Sequence, residues 1–145
     1  MIKLHVNPVP EKYQRLFEEA GDEVGLPYPV KPDYARYHMM MDSGDCLFVG
    51  AEDDGVPVGY IVVLFIQDLF NRAILHAVVD SIYVTDEYRG NVVAGRLLAK
   101  VMPTIKAVAH DLVFQCKSGT PFAQSLEDRD FKVIDNNYCK LTKEM

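Results

Sequence analysis

Hydrophobic and polar positions along the chain predict an alternating run of strands and helices. Residues 2–6 alternate enough for a short first strand, which Pro8 and Pro10 end. Pro10 suits the first turn of a helix, where a missing N–H has no partner to lose. Tyr13, Leu16, Phe17, Ala20 and Val24 recur at helical spacing, and Gly25 and Pro27 close that helix. A connector follows over residues 26–32. Asp33 then caps a second helix with Tyr34, Tyr37 and Met41 on one face, broken at Ser43 and Gly44. Residues 45–51 read as a strand, Asp54 and Gly55 as a hairpin turn, and 58–66 as a nearly continuous apolar strand covered on both faces. Residues 74–84 are apolar and rich in β-branched residues, interrupted by His76, Asp80 and Ser81, and predict another strand covered on both faces. From Ala94 the apolar positions Leu97, Leu98, Val101, Met102, Ile105, Val108 and Ala109 mark a long helix with one buried face. Residues 112–116 predict a strand, 118–129 a helix opened near Pro121, and 131–134 and 138–141 two last strands joined at residues 135–137.

Composition narrows the class. A chain of 145 residues is expected to form one domain, spanning 1–145, with no repeat, low-complexity segment or linker. At 49% hydrophobic and 25% charged it has the make-up of a soluble globular protein. No apolar run reaches the roughly 18 residues of a membrane span. The start lacks a long apolar signal region. Cys46, Cys116 and Cys139 are odd in number and form no CxxC pair, so neither a disulfide framework nor a metal site is expected. Reduced cysteines in a cytoplasmic protein are the expectation, with no metal and no membrane. His38 beside Met39, Met40 and Met41 lacks ligand partners nearby, and methionines commonly fill core gaps. The net charge of −6 argues against nucleic acid and is compatible with a cationic partner such as an amine. A homodimer stays open.

The chemistry concentrates where strand 74–84 runs through an acidic turn into the long helix. Arg89, Gly90 and Asn91 stand at the helix mouth. Helix starts leave N–H groups without acceptors, and the macrodipole there favours anions, so a phosphate or diphosphate fits such a place. The run Asp80, Ile82-Tyr83-Val84, Asp86-Glu87, Tyr88-Arg89-Gly90-Asn91-Val92-Val93-Ala94, Leu97-Leu98 resembles motif A of the GNAT superfamily of N-acetyltransferases, with Val92 in place of the family's middle glycine. The element order is also that of the family. Its second motif is poorly kept: with Phe131 at the family's Phe, Gly119 falls at Asn, Phe122 at Ala, Asp130 at Gly, and Leu126 at the tyrosine.

The resemblance implies one α/β GNAT domain. Its sheet would be mixed and mostly antiparallel, of about six to seven strands, with helices on both faces. It implies an acetyl-CoA-dependent N-acetyltransferase acting on a primary amine of a small molecule or protein by direct attack in a ternary complex. The backbone of Ile82, Tyr83 and Val84 would hold the pantetheine arm and the thioester oxygen. Arg89 and the N–H groups of Gly90, Asn91, Val92, Val93, Ala94 and Gly95 would hold the diphosphate. Such a transfer needs a base for the amine proton and donors for the developing oxyanion. Asp80 is the candidate base, because burial raises a carboxylate's pKa. A structural carboxylate paired to Arg72 or to a backbone N–H is the other reading. His76, on the same face by parity, is a spare base or a hydrogen-bonded core histidine. Leu126 has no proton for the departing thiolate, which leaves Ser125, Tyr83, Tyr138 or water. A GNAT-fold module without turnover, binding CoA or a protein, is the alternative function.

Overall fold

The structure is a computed structural model that describes residues 1–90, 92–115, 121–133 and 142. Two compact units are distinguished, Met1–Phe114 and Gln115–Met145. In the first, five strands form one sheet in the order β1-β2-β3-β4-β5: β1 Ile2–Val6, β2 Cys46–Asp53, β3 Val56–Gln67, β4 Leu75–Val84 and β5 Asp111–Phe114. The first three pairings are antiparallel and β4–β5 is parallel. That mixture is the expected one. The Asp54-Gly55 hairpin forms as predicted, with both residues at positive φ (50° and 83°).

β3 explains why the core has two clusters, one on each face of the sheet. Its apolar residues alternate between two clusters. Ile61 and Val63 point to one, with Val49, Ala77, Val79 and the stripe Val93, Leu97, Val101, Ile105 of helix α3 (Val93–Val108). Tyr60 and Val62 point to the other, with Tyr13, Leu16, Phe17, Cys46 and Phe48. Helices α1 (Gln14–Val24) and α2 (Tyr34–Ser43) cover this second face, Tyr34, Tyr37, Met40 and Met41 packing inward from α2. Helices therefore lie on both faces of the sheet. The α3 stripe starts at Val93 and not at Ala94, which is exposed. Val24 leaves the predicted α1 stripe at 52% exposure. The end of α1 instead packs through Gly21, where a Cβ would come within 2.4 Å of Val30 Cγ2.

Caps and a buried carboxylate fix this framework. Gly25 closes α1 at φ 69°, and Asp33 accepts from the Arg36 N–H at 3.0 Å to open α2. Glu52 is buried on β2 and accepts from Tyr13 Oη and Lys12 Nζ, each at 2.7 Å. Burial drives its pKa up, but those two donors outweigh burial and leave it below the ordinary glutamate value. The buried charge is thus paired, which its position requires.

The second unit contains α4, Pro121–Glu127, which ends two residues before the predicted 129 and gives way to a turn to Asp130; residues 118–120 of the predicted helix lie outside the described residues. The five strands among the described residues are fewer than the six to seven expected. Residues 131–133 are irregular, and the rest of the strand predicted over 131–134 and all of 138–141 lie outside the described residues. Strand β5 ends at Phe114, two residues before the predicted end. No helix among the described residues is long and apolar enough to cross a membrane.

Candidate functional site

The register of β3 on β4 breaks at one residue. Val62 pairs with Ser81 and Val63 with Val79, so Asp80 is the extra residue of a β-bulge. The β5 ladder stops at the same level, with Val79 opposite Phe114. From Asp80 to Val84 the far edge of β4 has no strand partner among the described residues. Which backbone groups face that edge follows from alternation. The Thr85 N–H donates to Val58 O on β3 at 2.9 Å. The Tyr83 carbonyl also lies against β3, 3.1 Å from where a Cβ on Gly59 would stand. Ile82 and Val84 therefore face the open edge, and Tyr83 does not. Of the three residues expected to hold the pantetheine arm by backbone, Ile82 and Val84 lie on the open edge and Tyr83 on the β3 side.

Gly59 sets how closely helix and strands approach. A Cβ there would meet Tyr83 O at 3.1 Å, Val84 Cγ2 at 3.3 Å and Val93 Cγ1 at 3.4 Å. Its absence lets the first turn of α3 settle over β3 and β4. The turn between β4 and α3 is tied to the sheet by Tyr88 Oη, which donates to Asp53 Oδ2 at 2.6 Å. Gly90 takes φ 80°, a left-handed conformation, in open space. Val92 is the N-cap of α3 and supplies no side-chain cap, and the first turn holds no acidic residue. Val92 stands 68% exposed at this mouth. Ala94 and Gly95 are also exposed on the first turn, and a Cβ on Gly95 would meet nothing. Asn91 lies outside the described residues. A helix start with neither side-chain cap nor acid fits an anion.

Arg89 does not face that mouth freely. Its Nη1 donates to Glu23 Oε1 at 2.8 Å and its Nη2 to Glu23 Oε2. Nη1 also lies 3.0 Å from Asp86 Oδ1, and Nε donates to Val84 O at 2.7 Å. The guanidinium sits over the Tyr83 ring, 5.1 Å from its centroid. The Glu23 contact raises the arginine's already high pKa. Sequence reasoning missed Glu23, which lies 66 residues away at the end of α1. One edge carbonyl, that of Val84, is likewise already taken.

Asp80 emerges on the α1–α2 face. Among the described residues its side chain has neither ion pair nor hydrogen bond, so the pairing with Arg72 does not form. Its carboxylate reaches solvent, yet enough protein surrounds it that desolvation raises its pKa. Its charge is felt by Tyr37, Tyr60 and Cys46. Burial first, then Asp80, pushes the Cys46 thiol up to about 11. Burial likewise pushes Tyr60 up to about 12, against a hydrogen bond of 2.7 Å between its hydroxyl and Ser81 Oγ. His76 is the hydrogen-bonded histidine and not a spare base. Its Nε2 lies 2.8 Å from Asp68 and its Nδ1 2.9 Å from Asp111, contacts that raise its pKa. Leu126 is buried on α4, and Ser125 lies on the same helix. Tyr138 lies outside the described residues.

Residues 13–120 match the profile of the Acetyltransferase (GNAT) family. Solved structures share the fold. Glucosamine-6-phosphate N-acetyltransferase from Arabidopsis thaliana superposes with a TM-score of 0.75 at 12% identity, covering 99% of each chain. The ribosomal-protein-alanine N-acetyltransferase from Brucella melitensis biovar Abortus 2308 gives 0.69 at 15% identity, over 99% of this chain and 100% of that one. A predicted acetyltransferase from Clostridium acetobutylicum, solved with acetyl-CoA, gives 0.70 at 13% identity over 98% and 96%. No curated protein matches this sequence. With three quarters of its length inside the family profile and the bulged strand leading into an uncapped helix, the chain belongs to the GNAT family of acetyltransferases.

Proposed function

We propose that the protein is an acetyl-CoA-dependent N-acetyltransferase that acetylates a primary amine of a small molecule or protein by direct attack in a ternary complex. The observation that carries this reading is the coincidence at one level of β4: the bulge at Asp80, the end of the β5 ladder and the start of an open strand edge. Acetyl-CoA supplies an activated acetyl thioester. The residues present fit it. Ile82 and Val84 offer backbone groups along the open edge, and the first turn of α3, from Val93 to Gly95, offers dipole and amides for the diphosphate. Arg89 joins that grip only by exchanging Glu23 for phosphate. Asp80, with a raised pKa and no partner among the described residues to hold its charge, accepts the amine proton, directly or through water. The family match runs past residue 114 to residue 120, which supports reading the chain as one domain.

A second reading, a GNAT-fold module that binds without turnover, draws on Val92, which replaces the family's middle glycine, and on Leu126, which stands apolar where the family's thiol-protonating tyrosine falls. A thiolate leaves tolerably near neutral pH, since thiol pKa values lie near about 8.5, so this position does not abolish transfer. The test is release of free CoA thiol from acetyl-CoA in the presence of a broad amine panel, with the products weighed by mass spectrometry. Acetylated product above the uncatalysed rate supports transfer. Cofactor binding with no product from any amine supports the binding module.

A further inference from the structure

Three elements converge on Asp80. In register the bulge places it between the Val62–Ser81 and Val63–Val79 pairs, on the face that α1 and α2 cover. Its charge is felt by the Tyr37 hydroxyl of α2, the Tyr60 hydroxyl of β3 and the Cys46 thiol of β2. The carboxylate reaches water although protein crowds it on its other sides. A group so placed lies in a cleft, because a convex surface would leave it fully hydrated.

Two of those neighbours are already engaged. Tyr60 is 1% exposed, and its hydroxyl shares a hydrogen bond of 2.7 Å with Ser81 Oγ. Cys46 is 3% exposed, and its raised pKa keeps the thiol neutral. Tyr37 differs. Its ring stacks on Phe17, centroids 5.8 Å apart, and meets Phe48 edge-on at 6.3 Å. These contacts fix the ring, yet its hydroxyl makes no hydrogen bond among the described residues. Burial first, then the Asp80 charge, pushes that hydroxyl's pKa up, with no hydrogen bond contributing. The Tyr37 hydroxyl and the Asp80 carboxylate are thus neighbours that do not bond each other. A nitrogen between them donates one N–H to the carboxylate and a second to the tyrosine oxygen. The half-buried side chains packed on the same cluster, Tyr34, Met40, Met41 and Leu64, are aromatic or apolar. Burial alone moves the pKa of Asp80, so among the described residues no second charge stands close to it. Glu19 and Glu23 of α1 already face Arg15 and Arg89.

Resting on the transfer reading above, we infer that the acceptor is a monoamine on an aromatic or aliphatic body, its nitrogen held between Asp80 and the Tyr37 hydroxyl and its body against the apolar side chains of α2. One unpaired carboxylate matches one ammonium. A polyamine or an aminoglycoside brings further ammonium groups that find no partner beside it, and a phosphorylated amino sugar brings a negative charge toward Asp80. Methionine side chains adapt to bodies of different shape. Asp80 takes one proton of the ammonium, and the lone pair so freed forms the C–N bond. The C–S bond breaks, and the surplus proton on nitrogen leaves with the CoA thiolate. The Tyr37 oxygen, holding another N–H, aims that lone pair at the thioester carbon. Tyr37 is thus an acceptor-binding residue.

Phenethylamine, putrescine and glucosamine 6-phosphate, each offered with acetyl-CoA, are the probes. Phenethylamine should be acetylated with the highest kcat/KM. Tyr37→Phe keeps the ring and its packing, which a matching thermal melt checks. It should raise the KM for phenethylamine by about tenfold or more and move kcat less. Saturation-transfer NMR without acetyl-CoA reads binding apart from turnover. Phenethylamine should receive saturation from the wild type and far less from Asp80→Asn, and putrescine none. Phenethylamine binding with no acetylated product from any amine would sink the transfer reading and uphold the ligand class. Preferred acetylation of putrescine or of the sugar phosphate would uphold transfer and overturn the acceptor class. So would an absence of phenethylamine binding, or an unchanged KM in Tyr37→Phe.

Discussion

Replacing Glu23 with glutamine separates the cost of a contact from its benefit. In the structure Glu23 occupies the guanidinium of Arg89 with both carboxylate oxygens, the group proposed above to hold a cofactor phosphate. Arg89 is 39% exposed and Glu23 49%, so solvent and salt screen the pair. Such pairs contribute about 0.2–1 kcal/mol to stability. Glu23→Gln keeps the shape and removes the charge, and should therefore cost less than about 1 kcal/mol of folding stability. The same energy is what a phosphate must overcome to displace the carboxylate. Returned to binding at 1.4 kcal/mol per tenfold, it tightens acetyl-CoA by about 1.4–5-fold. Asp86, 3.0 Å from Nη1, remains and limits the gain. Calorimetric titration of acetyl-CoA into both proteins reads the effect. The difference shrinks as salt rises, because exposed charges are screened over roughly 8 Å at physiological ionic strength. In an Arg89→Gln background the Glu23 change does nothing. Equal or weaker binding by Glu23→Gln would show that Arg89 takes no part in holding phosphate.

Three further outcomes follow from other contacts. Asp80→Asn should lower turnover by roughly 100-fold or more and leave acetyl-CoA affinity nearly unchanged, measured with an acetylated amine in hand; unchanged turnover would leave Asp80 a bystander. Gly50→Ala should destabilise the protein by about 3 kcal/mol or more, because a Cβ there lands 1.9 Å from Tyr13 Oη and breaks its bond to buried Glu52; a thermal melt within a degree or two of wild type would refute the packing argument. His76 has a raised pKa between two carboxylates, so its contribution to stability is complete below the ordinary histidine value and fades as pH rises through the raised one. Melting temperature should therefore fall on that rise in the wild type and less so in His76→Gln, and parallel pH profiles would show that the His76 pairs with Asp68 and Asp111 do not stabilise the fold.

How far the sequence predicted these features depended on the range of the interaction. Elements set by local pattern were readable: the Asp33 cap, the Asp54-Gly55 turn, the Gly25 stop and the alternating faces of β3 all depend on neighbours within a few residues. The helix mouth at Arg89 and Gly90 was readable for the same reason. What depends on chain meeting chain was not. A bulge needs a partner strand to be a bulge, so Asp80 looked like a charge buried in a continuous strand and emerged as the extra residue of a broken register. Strand parity puts His76 and Asp80 on one face, but not the two carboxylates, from residues 68 and 111, that occupy both imidazole nitrogens. Arg89 read as a free phosphate ligand because Glu23 is 66 residues distant. Leu69 and Phe70 stand fully exposed between β3 and β4, and exposure is invisible to hydrophobic patterning.

The most direct test is a crystal structure of the protein grown with saturating acetyl-CoA. The account predicts the pantetheine arm laid along β4 as a surrogate strand, bonded to the backbone of Ile82 and Val84, with the thioester beside the Asp80 bulge. It predicts the diphosphate against the amides of the first turn of α3 and Glu23 displaced from Arg89. Electron density for the cofactor elsewhere on the molecule, or none at all at saturating concentration, would contradict it.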